Sequence, residues 1–308
     1  MEEVESAVVV GDVFIDLVTR VAMVPAAGSG VWGTPLVATG GGCGGNMAAA
    51  LAHLGVPTQF LTVVGDDEYG HLAVAQLEEA GVDTSTIVVD PEAASGTVVI
   101  LLDDNNERTI IPCALGAAYG RLTEESVDAL LASPPRHILL TGVALGADPT
   151  GQSYLHLARN VPTGTTLYFD PNLRQPPETL TPELAERFRE LSRRADVVMA
   201  GANEIVALGL ERREGQIFIQ KLGDQGCVMT DTSGSVSRFA ARAVPVVDST
   251  GAGDAFAAGF VAAKARGHDD ESAAYYATIA GALAVQSLGA RVTTTWEHIT
   301  GYSERGSS

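Results

Sequence analysis

The chain is poor in cysteine, in basic residues and in long apolar runs. Its 308 residues include an odd number of cysteines whose spacing does not match a metal site: Cys43, Cys113 and Cys227. We therefore expect reduced thiols, as in a cytoplasmic protein. No apolar run reaches the ~18 residues that a membrane span needs. The opening MEEVESAVVV is acidic where a secretory signal carries positive charge, so we predict no signal peptide.

Positive charge is scarce throughout the chain. There are 19 lysines and arginines against 38 aspartates and glutamates, which gives a formal net charge of −19. A surface this acidic repels the phosphates of nucleic acids and of anionic membranes, so we expect neither as a partner. It also limits the affinity for polyanionic substrates unless a few basic residues are concentrated in one cleft.

Short apolar stretches alternate with helical segments along most of the sequence. The predicted helices are residues 46–55 and 67–81, and the predicted strands are residues 6–11, 58–67, 137–144, 165–172, 195–203 and 215–223. This alternation predicts an α/β fold with three αβα layers, in which helices cover both faces of a central, mostly parallel sheet. Ligands of such sheets bind beyond the carboxyl ends of the strands.

Residues 96–112 depart from this alternation. Their sequence, GTVVILLDDNNERTIIP, predicts a strand, a polar turn and a second strand. Together with residues 13–39, this hairpin is expected to form a small β-sheet that covers the strand ends as a lid. We find no repeat and no linker, so residues 1–308 are expected to be one domain with this lid inserted in it.

The stretch GGGCGGN, residues 40–46, is dense in glycine, which indicates a sharply bent backbone or a closely approaching group. The spacing of Gly40, Gly42 and Gly45 satisfies a dinucleotide-binding fingerprint, but a predicted strand and some forty residues precede it. A phosphate-binding P-loop would require lysine after the last glycine, where this chain has Asn46. A third possibility is a loop that approaches another kind of ligand.

The most informative motif is DSTGAGDAF, residues 248–256. A turn of small residues, Gly251 to Gly253, leads directly into a strongly helical stretch. Free backbone N–H groups and the helix dipole at such a start attract a phosphate or a developing phosphoryl charge. Asp254 at the mouth of this turn could accept a proton from an incoming hydroxyl group. The alternative is that Asp254 only caps the helix.

The two motifs together resemble those of the ribokinase-like, or PfkB, carbohydrate kinases, and the match extends in order over essentially the whole chain. The resemblance implies a ribokinase-like fold, transfer of the γ-phosphate of ATP to a primary hydroxyl of a small sugar, and a glycine-rich loop that approaches the sugar. It implies Asp254 as the catalytic base, with an anion hole formed by Gly251, Ala252 and Gly253. The residues implied for sugar binding are Asp12, Asp16, Gly41, Gly42, Asn46 and Asp254.

The resemblance also implies ATP as the phosphate donor, with Mg²⁺ and an activating K⁺ ion. The residues implied on the ATP side are Asn172, Arg174, Asn203, Lys221, Gly223, Gly226 and Gly253. Those implied for the monovalent cation are Asp248, Thr250, Ala284, Ser287 and Gly289. The chain departs from the family's Asn-x-x-Glu motif, because Val206 stands where the glutamate is expected. Glu204 is then a weak candidate for the magnesium site.

The expected substrate is an unphosphorylated sugar or sugar acid, similar to fructose, ketodeoxygluconate or ribose. A sugar phosphate would require a second basic cluster, and no lysine or arginine lies in the glycine-rich loop or next to Asp16 in the sequence. The alternatives are a nucleoside kinase of the same fold and a non-catalytic sugar or nucleotide sensor, the latter suggested by Val206. Lids of several relatives pair across a two-fold axis, so the resemblance further implies a homodimer through the β lid.

Overall fold

A computed structural model describes residues 4–105, 107–291 and 293–304. The strands are β1 (Ala7–Val10), β2 (Phe14–Arg20), β3 (Val37–Gly41), β4 (Thr58–Leu61), β5 (Val63–Gly65), β6 (Val88–Asp90), β7 (Thr97–Leu102), β8 (Arg108–Cys113), β9 (His137–Thr141), β10 (Thr166–Asp170), β11 (Val197–Gly201), β12 (Ile217–Lys221), β13 (Cys227–Thr230) and β14 (Val236–Phe239). The helices are α1 (Cys43–His53), α2 (Glu68–Glu79), α3 (Glu124–Leu131), α4 (Thr150–Asn160), α5 (Pro182–Arg194), α6 (Ala202–Leu208), α7 (Ala252–Lys264), α8 (Asp270–Ala284) and α9 (Trp296–Glu304). Asn106 of the predicted hairpin and the ends of the predicted domain, residues 1–3 and 305–308, lie outside the described residues.

The central sheet has eight strands in the order β14-β13-β12-β11-β10-β9-β1-β4. The strands from β12 to β4 run parallel to their neighbours, whereas β13 and β14 pair antiparallel at one edge. Parallel strands need crossover connections, and here helices supply them. The predicted mostly parallel sheet is therefore present.

Both faces of this sheet are buried under helices. Ala7 and Val9 of β1 belong to a core that includes buried side chains of α1, α7 and α8. Val8 and Val10 belong to a second core with side chains of α3, α4 and α5. Successive side chains of a strand point to opposite faces, so a continuous apolar strand feeds two cores and produces three layers. Within the described part of the chain, no helix is both long enough and apolar enough to cross a membrane.

A separate four-stranded sheet has the order β3-β2-β7-β8. β7 and β8 pair antiparallel, as predicted for the hairpin, and β2 pairs antiparallel with β3 and parallel with β7. Its inner side chains, such as Ile15 and Val98, are buried, whereas Ile110 and Ile111 of β8 are exposed. We call this the second sheet; it carries Asp16 on β2 and Arg108 on β8.

Two predicted elements differ from the structure. The helix predicted for residues 46–55 begins earlier, at Cys43, because an aspartate below it bonds its first N–H groups. The strand predicted for residues 58–67 is divided, since β4 belongs to the central sheet while β5 pairs with β6 in a small sheet of its own. An apolar run does not reveal where a chain leaves one sheet for another.

Candidate active site

The carboxyl ends of the parallel strands meet along one edge of the central sheet. The polar residues at the ends of β1, β9, β10 and β12 are Asp12, Thr141, Asp170 and Lys221. Helices α1 and α7 begin at the same edge, where Asn46 of α1 contacts Asp254 of α7. This edge is where ligands of α/β sheets bind, and it is where the two sequence motifs come together.

Asp12 lies beneath the glycine-rich loop and is fully buried. Its carboxylate accepts hydrogen bonds from the backbone N–H of Cys43 at 2.9 Å and of Gly44 at 3.3 Å, and from the Thr141 hydroxyl at 3.0 Å. The first N–H groups of a helix lack partners within the helix, and Asp12 supplies them for α1. The predicted sugar contact of Asp12 is therefore corrected, because this carboxylate holds the start of α1 from below.

The glycine-rich loop needs glycine for two kinds of close approach. Gly42 has a φ of 81°, a left-handed conformation that favours glycine, and a Cβ there would lie 2.8 Å from the Cα of Val13. A Cβ on Gly44 would lie 2.7 Å from the carbonyl oxygen of Asp12. These positions let α1 pack directly on the backbone after β1. A Cβ on Gly41 would instead overlap the carboxylate of Asp16.

Asp254 is the third residue of α7 and is only 4% exposed. Asn46 Nδ2 donates a hydrogen bond to Asp254 Oδ2 at 2.9 Å, while Asn46 Oδ1 is buried and has no partner among the described residues. Burial raises the pKa of Asp254 to about 7, although the bond from Asn46 opposes this shift. A carboxylate with this pKa can hold or release a proton near neutral pH, as a general base must.

The turn before Asp254 has the geometry of an anion site. Gly251 precedes α7 with a φ of 77°, and no side chain caps the helix start. A Cβ on Gly251 would lie 2.6 Å from the carbonyl oxygen of Ala290, so the turn is also tightly packed. The N–H of Gly253 lies in the first turn of α7, where the positive end of the helix dipole attracts an anion, whereas the N–H of Ala252 donates to the carbonyl of Ser249 at 3.3 Å.

Lys221 lies beside this turn. Its Nζ is 3.6 Å from the position that a Cβ on Gly253 would take and 2.5 Å from Oδ2 of Asp170, which is fully buried. Burial opposes the charge of Lys221, but Asp170 and Glu204 hold its pKa above the ordinary value. A fixed positive charge next to the anion turn is suited to bind a phosphate oxygen.

A cavity of about 480 Å³ adjoins both this turn and Lys221. Lys221, Gly223, Gly226, Gly253 and Phe256 are among the residues that line it. Gly223 begins a single 3-10 turn after β12, and both Gly223 and Gly226 have positive φ. The cavity therefore joins four of the seven residues that the resemblance implies for ATP, and its volume is in the range of small-molecule and cofactor sites.

Three other predicted ATP-side residues lie after β10 and β11. Arg174 reaches the glycine-rich loop, where its Nη2 lies 2.6 Å from Cys43 Sγ, and its charge lowers the pKa of Asp254. Asn172 has a φ of 45° and a buried Nδ2 without a partner among the described residues. Asn203 is exposed at the start of α6. Arg174 thus lies between the two motifs rather than on the ATP side alone.

Glu204 does not suit the predicted magnesium site. Its two carboxylate oxygens accept hydrogen bonds from the backbone N–H of Gly201 at 2.6 Å and of Leu173 at 2.7 Å. It therefore caps α6 and fixes the segment after β10, and this corrects its proposed metal role. Val206 is 82% exposed. In the described part of the chain no cluster of three or more His, Cys, Asp or Glu side chains is arranged to hold a metal.

One acidic oxygen at the site remains unengaged. Asp170 Oδ1 is buried and has no hydrogen-bond partner among the described residues, while Oδ2 bonds Lys221. Magnesium in phosphoryl-transfer sites is bound through one or two carboxylates, with phosphates and waters completing its shell. Asp170 fits such a role by its chemistry, and Glu204 does not.

The residues predicted for the monovalent cation lie on two adjoining loops. Asp248 accepts hydrogen bonds from the N–H of Gly289 at 2.9 Å and of Thr250 at 2.8 Å. Ala284 is the exception, the last residue of α8 rather than a loop residue, and Ser287 follows in the second loop; between them the carbonyl of Val285 accepts from the N–H of Asp248. Arg108 of the second sheet also bonds both Asp248 and Thr250. These donors hold the pKa of Asp248 at about 2 despite its burial.

Asp16, on the second sheet, lies among arginines that are distant in the sequence. Burial raises its pKa to about 6, and the charges of Arg291, Arg108 and Arg174 oppose this shift. The sequence argument that no basic residue lies around Asp16 is therefore wrong in three dimensions. These arginines come from three separate segments, and their convergence has no signal in local sequence spacing.

Arg291 is the functional candidate that sequence reasoning missed. A Cβ on Gly40 would overlap its guanidinium, and a Cβ on Gly45 would lie 2.9 Å from its Nη2. The guanidinium thus lies against the glycine-rich loop, about 250 positions away in the sequence. The only available signal is an arginine two residues after Gly289, in the stretch that adjoins the predicted cation loop.

A family model described as "pfkB family carbohydrate kinase" matches residues 4–297. An ATP-dependent ribose-1-phosphate kinase of Halopiger xanaduensis is 32% identical over 277 residues, which cover 87% of this chain and 88% of that protein. A fructokinase of Klebsiella pneumoniae is 32% identical over 271 residues, covering 81% of this chain and 87% of that protein. These matches extend over most of both chains.

Solved structures have the same fold. A candidate ribokinase II of E. coli, in complex with ATP and Mg²⁺, superimposes with a TM-score of 0.82 at 24% identity and covers 98% of this chain and 99% of that one. Its apo form superimposes with a TM-score of 0.83 at 25% identity, again over 98% and 99% of the two chains. The predicted three-layer architecture with an additional small sheet is thereby confirmed.

Proposed function

This chain belongs to the pfkB family of carbohydrate kinases, and on that premise we propose that it transfers the γ-phosphate of ATP to a primary hydroxyl of a small sugar. The observation that carries the proposal is the position of Asp254, a buried carboxylate bonded to Asn46 at the mouth of a helix-start anion turn. A protein that only senses sugars needs no base there, so the intact site argues against the sensor alternative.

In the proposed reaction, each group at the site has one role. The sugar oxygen attacks the γ-phosphorus, the bond between that phosphorus and the bridging oxygen breaks, and ADP leaves with the bond's electron pair. The hydroxyl proton passes to Asp254. The N–H of Gly253 and the charge of Lys221 would stabilise the phosphoryl oxygens as negative charge develops on them, and the N–H of Ala252 would join them by exchanging its bond to Ser249 for one to phosphate. Most of the acceleration would come from positioning and electrostatics.

The cavity of about 480 Å³ is the proposed ATP site. It is lined by Lys221, Gly223, Gly226 and Gly253, and the E. coli structure at 24% identity supports ATP and Mg²⁺ by analogy of fold. Magnesium, when bound, would neutralise phosphate charge, with Asp170 as the proposed protein ligand. Asn172 and Asn203 are proposed to border the same side of the cleft.

Phosphate transfer across an acceptor panel tests the proposal. We expect ADP release from ATP and Mg²⁺ with at least one sugar of a panel of pentoses, hexoses, keto acids, sugar phosphates and nucleosides, measured by a coupled assay and by identification of the product. The two relatives are named for different acceptors, so the panel includes both classes. Release only with nucleosides would favour the nucleoside-kinase alternative, and release with none of these acceptors would reject a kinase.

We propose a modest activation by K⁺ through the loops of Asp248 and Thr250. Arg108 already bonds Asp248, so a cation there competes with a guanidinium. Turnover should be faster in K⁺ than in Na⁺ or tetramethylammonium, and the difference should be larger in Arg108→Gln, which frees the carboxylate. Equal rates in the three salts for both proteins would remove the cation site.

We propose that the second sheet acts as a lid over the sugar site. Asp16 on β2 faces the glycine-rich loop, and Arg108 on β8 contacts the segment before the anion turn. Closure of such a lid excludes water, which otherwise competes as phosphate acceptor. Hydrogen exchange of β7 and β8 should slow when an acceptor is added, and unchanged exchange with a saturating acceptor would oppose a lid.

We propose a homodimer through the second sheet. Val37 is 58% exposed, Ile110 is 56% exposed and Ile111 is 48% exposed, which leaves apolar area on strands at both edges of this sheet. Sedimentation at micromolar concentration should give a dimer that Ile110→Glu dissociates. The control Val236→Glu, on the edge strand β14 of the central sheet, should not change the mass measured by sedimentation. A monomeric wild-type chain would contradict the proposal.

A further inference from the structure

Arg291 carries a buried positive charge that no described residue neutralises by a hydrogen bond. Its Nε, Nη1 and Nη2 are all buried and all lack a hydrogen-bond partner among the described residues. Burial lowers the pKa of Arg291 to about 10, and Asp16 is the group that opposes this shift. Even so, the guanidinium is charged at neutral pH, with its five N–H donors available.

An unpaired buried guanidinium is unfavourable, which is why buried charges are nearly always paired. Here two glycines make room for the guanidinium of Arg291. Gly40 and Gly45 leave the room that the guanidinium occupies, because a Cβ at either position would press against it. The glycine-rich loop, which the resemblance assigns to the sugar, therefore also accommodates the guanidinium of Arg291.

Arg291 shares its effect on Asp16 with two other arginines, and these have partners of their own. Arg108 and Arg174 also lower the pKa of Asp16, but Arg108 is ion-paired with Asp248, and Arg174 donates a hydrogen bond to Cys43 Sγ. Of the three guanidinium groups, that of Arg291 is the one whose nitrogens are buried without a hydrogen-bond partner among the described residues.

We propose that the acceptor sugar carries an anionic group, a phosphate or a carboxylate, that is bound by Arg291 beside Gly40 and Gly45. This rests on the proposed kinase function and names the acceptor class for that same site. Guanidinium presents paired N–H groups that match the oxygen pairs of phosphate and carboxylate, which a neutral hydroxyl cannot provide. Such a ligand would supply the partners that Arg291 lacks.

Binding without nucleotide tests this proposal independently of catalysis. Calorimetry of the full chain would compare three matched pairs: ribose with ribose 1-phosphate, fructose with fructose 6-phosphate, and glucose with gluconate. We expect at least one anionic member to bind about 100-fold more tightly than its neutral partner, as two charge-assisted hydrogen bonds would produce. The phosphate and carboxylate pairs distinguish the two sources of negative charge.

Variants of Arg291 identify where the anion binds. Arg291→Met should bring the affinities for the anionic member and its neutral partner to a ratio of about one, while Arg291→Lys should retain part of the preference. Arg136→Gln, at an exposed arginine that pairs with Glu5, is the matched control and should bind like the wild type. Thermal unfolding of each variant checks its fold.

Two results would overturn the proposal. One is neutral sugars that bind as tightly as their anionic partners to the wild type, a comparison that needs no variant. The other is an anionic preference that survives in folded Arg291→Met, which would locate the anion elsewhere. Turnover of neutral sugars by a wild type that shows no anionic preference would leave the kinase function intact and reject only the anionic acceptor.

Discussion

Replacement of Asp254 by asparagine is expected to lower kcat by about 10²- to 10⁴-fold, the usual contribution of a general base. The asparagine keeps the size of the side chain and can still accept the hydrogen bond from Asn46, so the fold and sugar binding should persist. What is lost is the ability to take the hydroxyl proton. Steady-state kinetics with the best acceptor of the panel, together with calorimetric sugar binding, measures both parts.

The control for this substitution is Asp128→Asn, at an exposed aspartate that pairs with His156 on the far helical layer. It should leave kcat unchanged. Retention of more than about a tenth of the wild-type kcat by Asp254→Asn would show that Asp254 is not the base, since this loss is smaller than general-base catalysis accounts for.

The pH dependence follows from the pKa of about 7 at Asp254. The base works in its ionised form, so kcat should rise with pH through about 7 and then level off. Protonation below that pH removes the acceptor for the hydroxyl proton. A kcat that is flat from pH 5.5 to 8.5 would contradict this assignment.

The same pKa links Asp254 to stability. Its folded-state pKa is raised above the ordinary value of 3.8, so the folded protein binds a proton that the unfolded chain has released. Its favourable contribution is therefore complete below about pH 4 and is lost as pH rises through about 7. Urea unfolding should show Asp254→Asn becoming progressively more stable than the wild type over this range, and an unchanged difference would oppose the shifted pKa.

Replacement of Lys221 by methionine is expected to lower the free energy of unfolding by about 3–5 kcal/mol, because it leaves the fully buried Asp170 without its partner. It should also raise the KM for ATP by about tenfold or more, since a charge-assisted bond to phosphate is removed. Chemical denaturation and steady-state kinetics measure the two effects separately.

A double variant separates the structural effect from the functional one. Asp170→Asn combined with Lys221→Met removes the unpaired charge, so most of the stability should return while the KM for ATP stays high. Lys264→Met is the matched control, because Lys264 pairs with Asp270 at 2.7 Å outside the proposed site and both side chains are partly exposed. Its cost should be within about 1 kcal/mol. A normal KM for ATP in the Lys221 variants would exclude phosphate binding by Lys221.

The strand and helix pattern of this protein could be predicted because its causes are local. Strands such as β1 and β9 are buried on both faces, so their sequences are continuous apolar runs. Glycines such as Gly81 mark the ends of helices. The turn at Gly251 and the helix start that follows it could be predicted for the same reason, since a small-residue turn, a helix start and a carboxylate lie within a few positions.

Residue roles that depend on neighbours distant in the sequence could not be predicted in this way. Asp12 and Glu204 were both taken as ligand contacts, and each instead bonds backbone N–H groups at a helix start. A carboxylate at a strand end has the same sequence appearance whether it faces the cleft or lies under a loop. Burial and the nearest free donors decide between them, and both are properties of the packed fold.

The sequence by itself determined the α/β architecture and the family, because periodicity and short motifs reflect interactions between residues close in the chain, and Asp254 as the base stays a prediction. Only the tertiary structure decided what surrounds Asp16. Arg108 comes from the second sheet and Arg291 from the segment after α8. Because both are far from Asp16 in the sequence, their closeness to it could not be predicted. Electrostatic interaction depends on distance through space, which the order of strands and the packing of helices set, and so the charge of the acceptor site emerges only when the chain is folded.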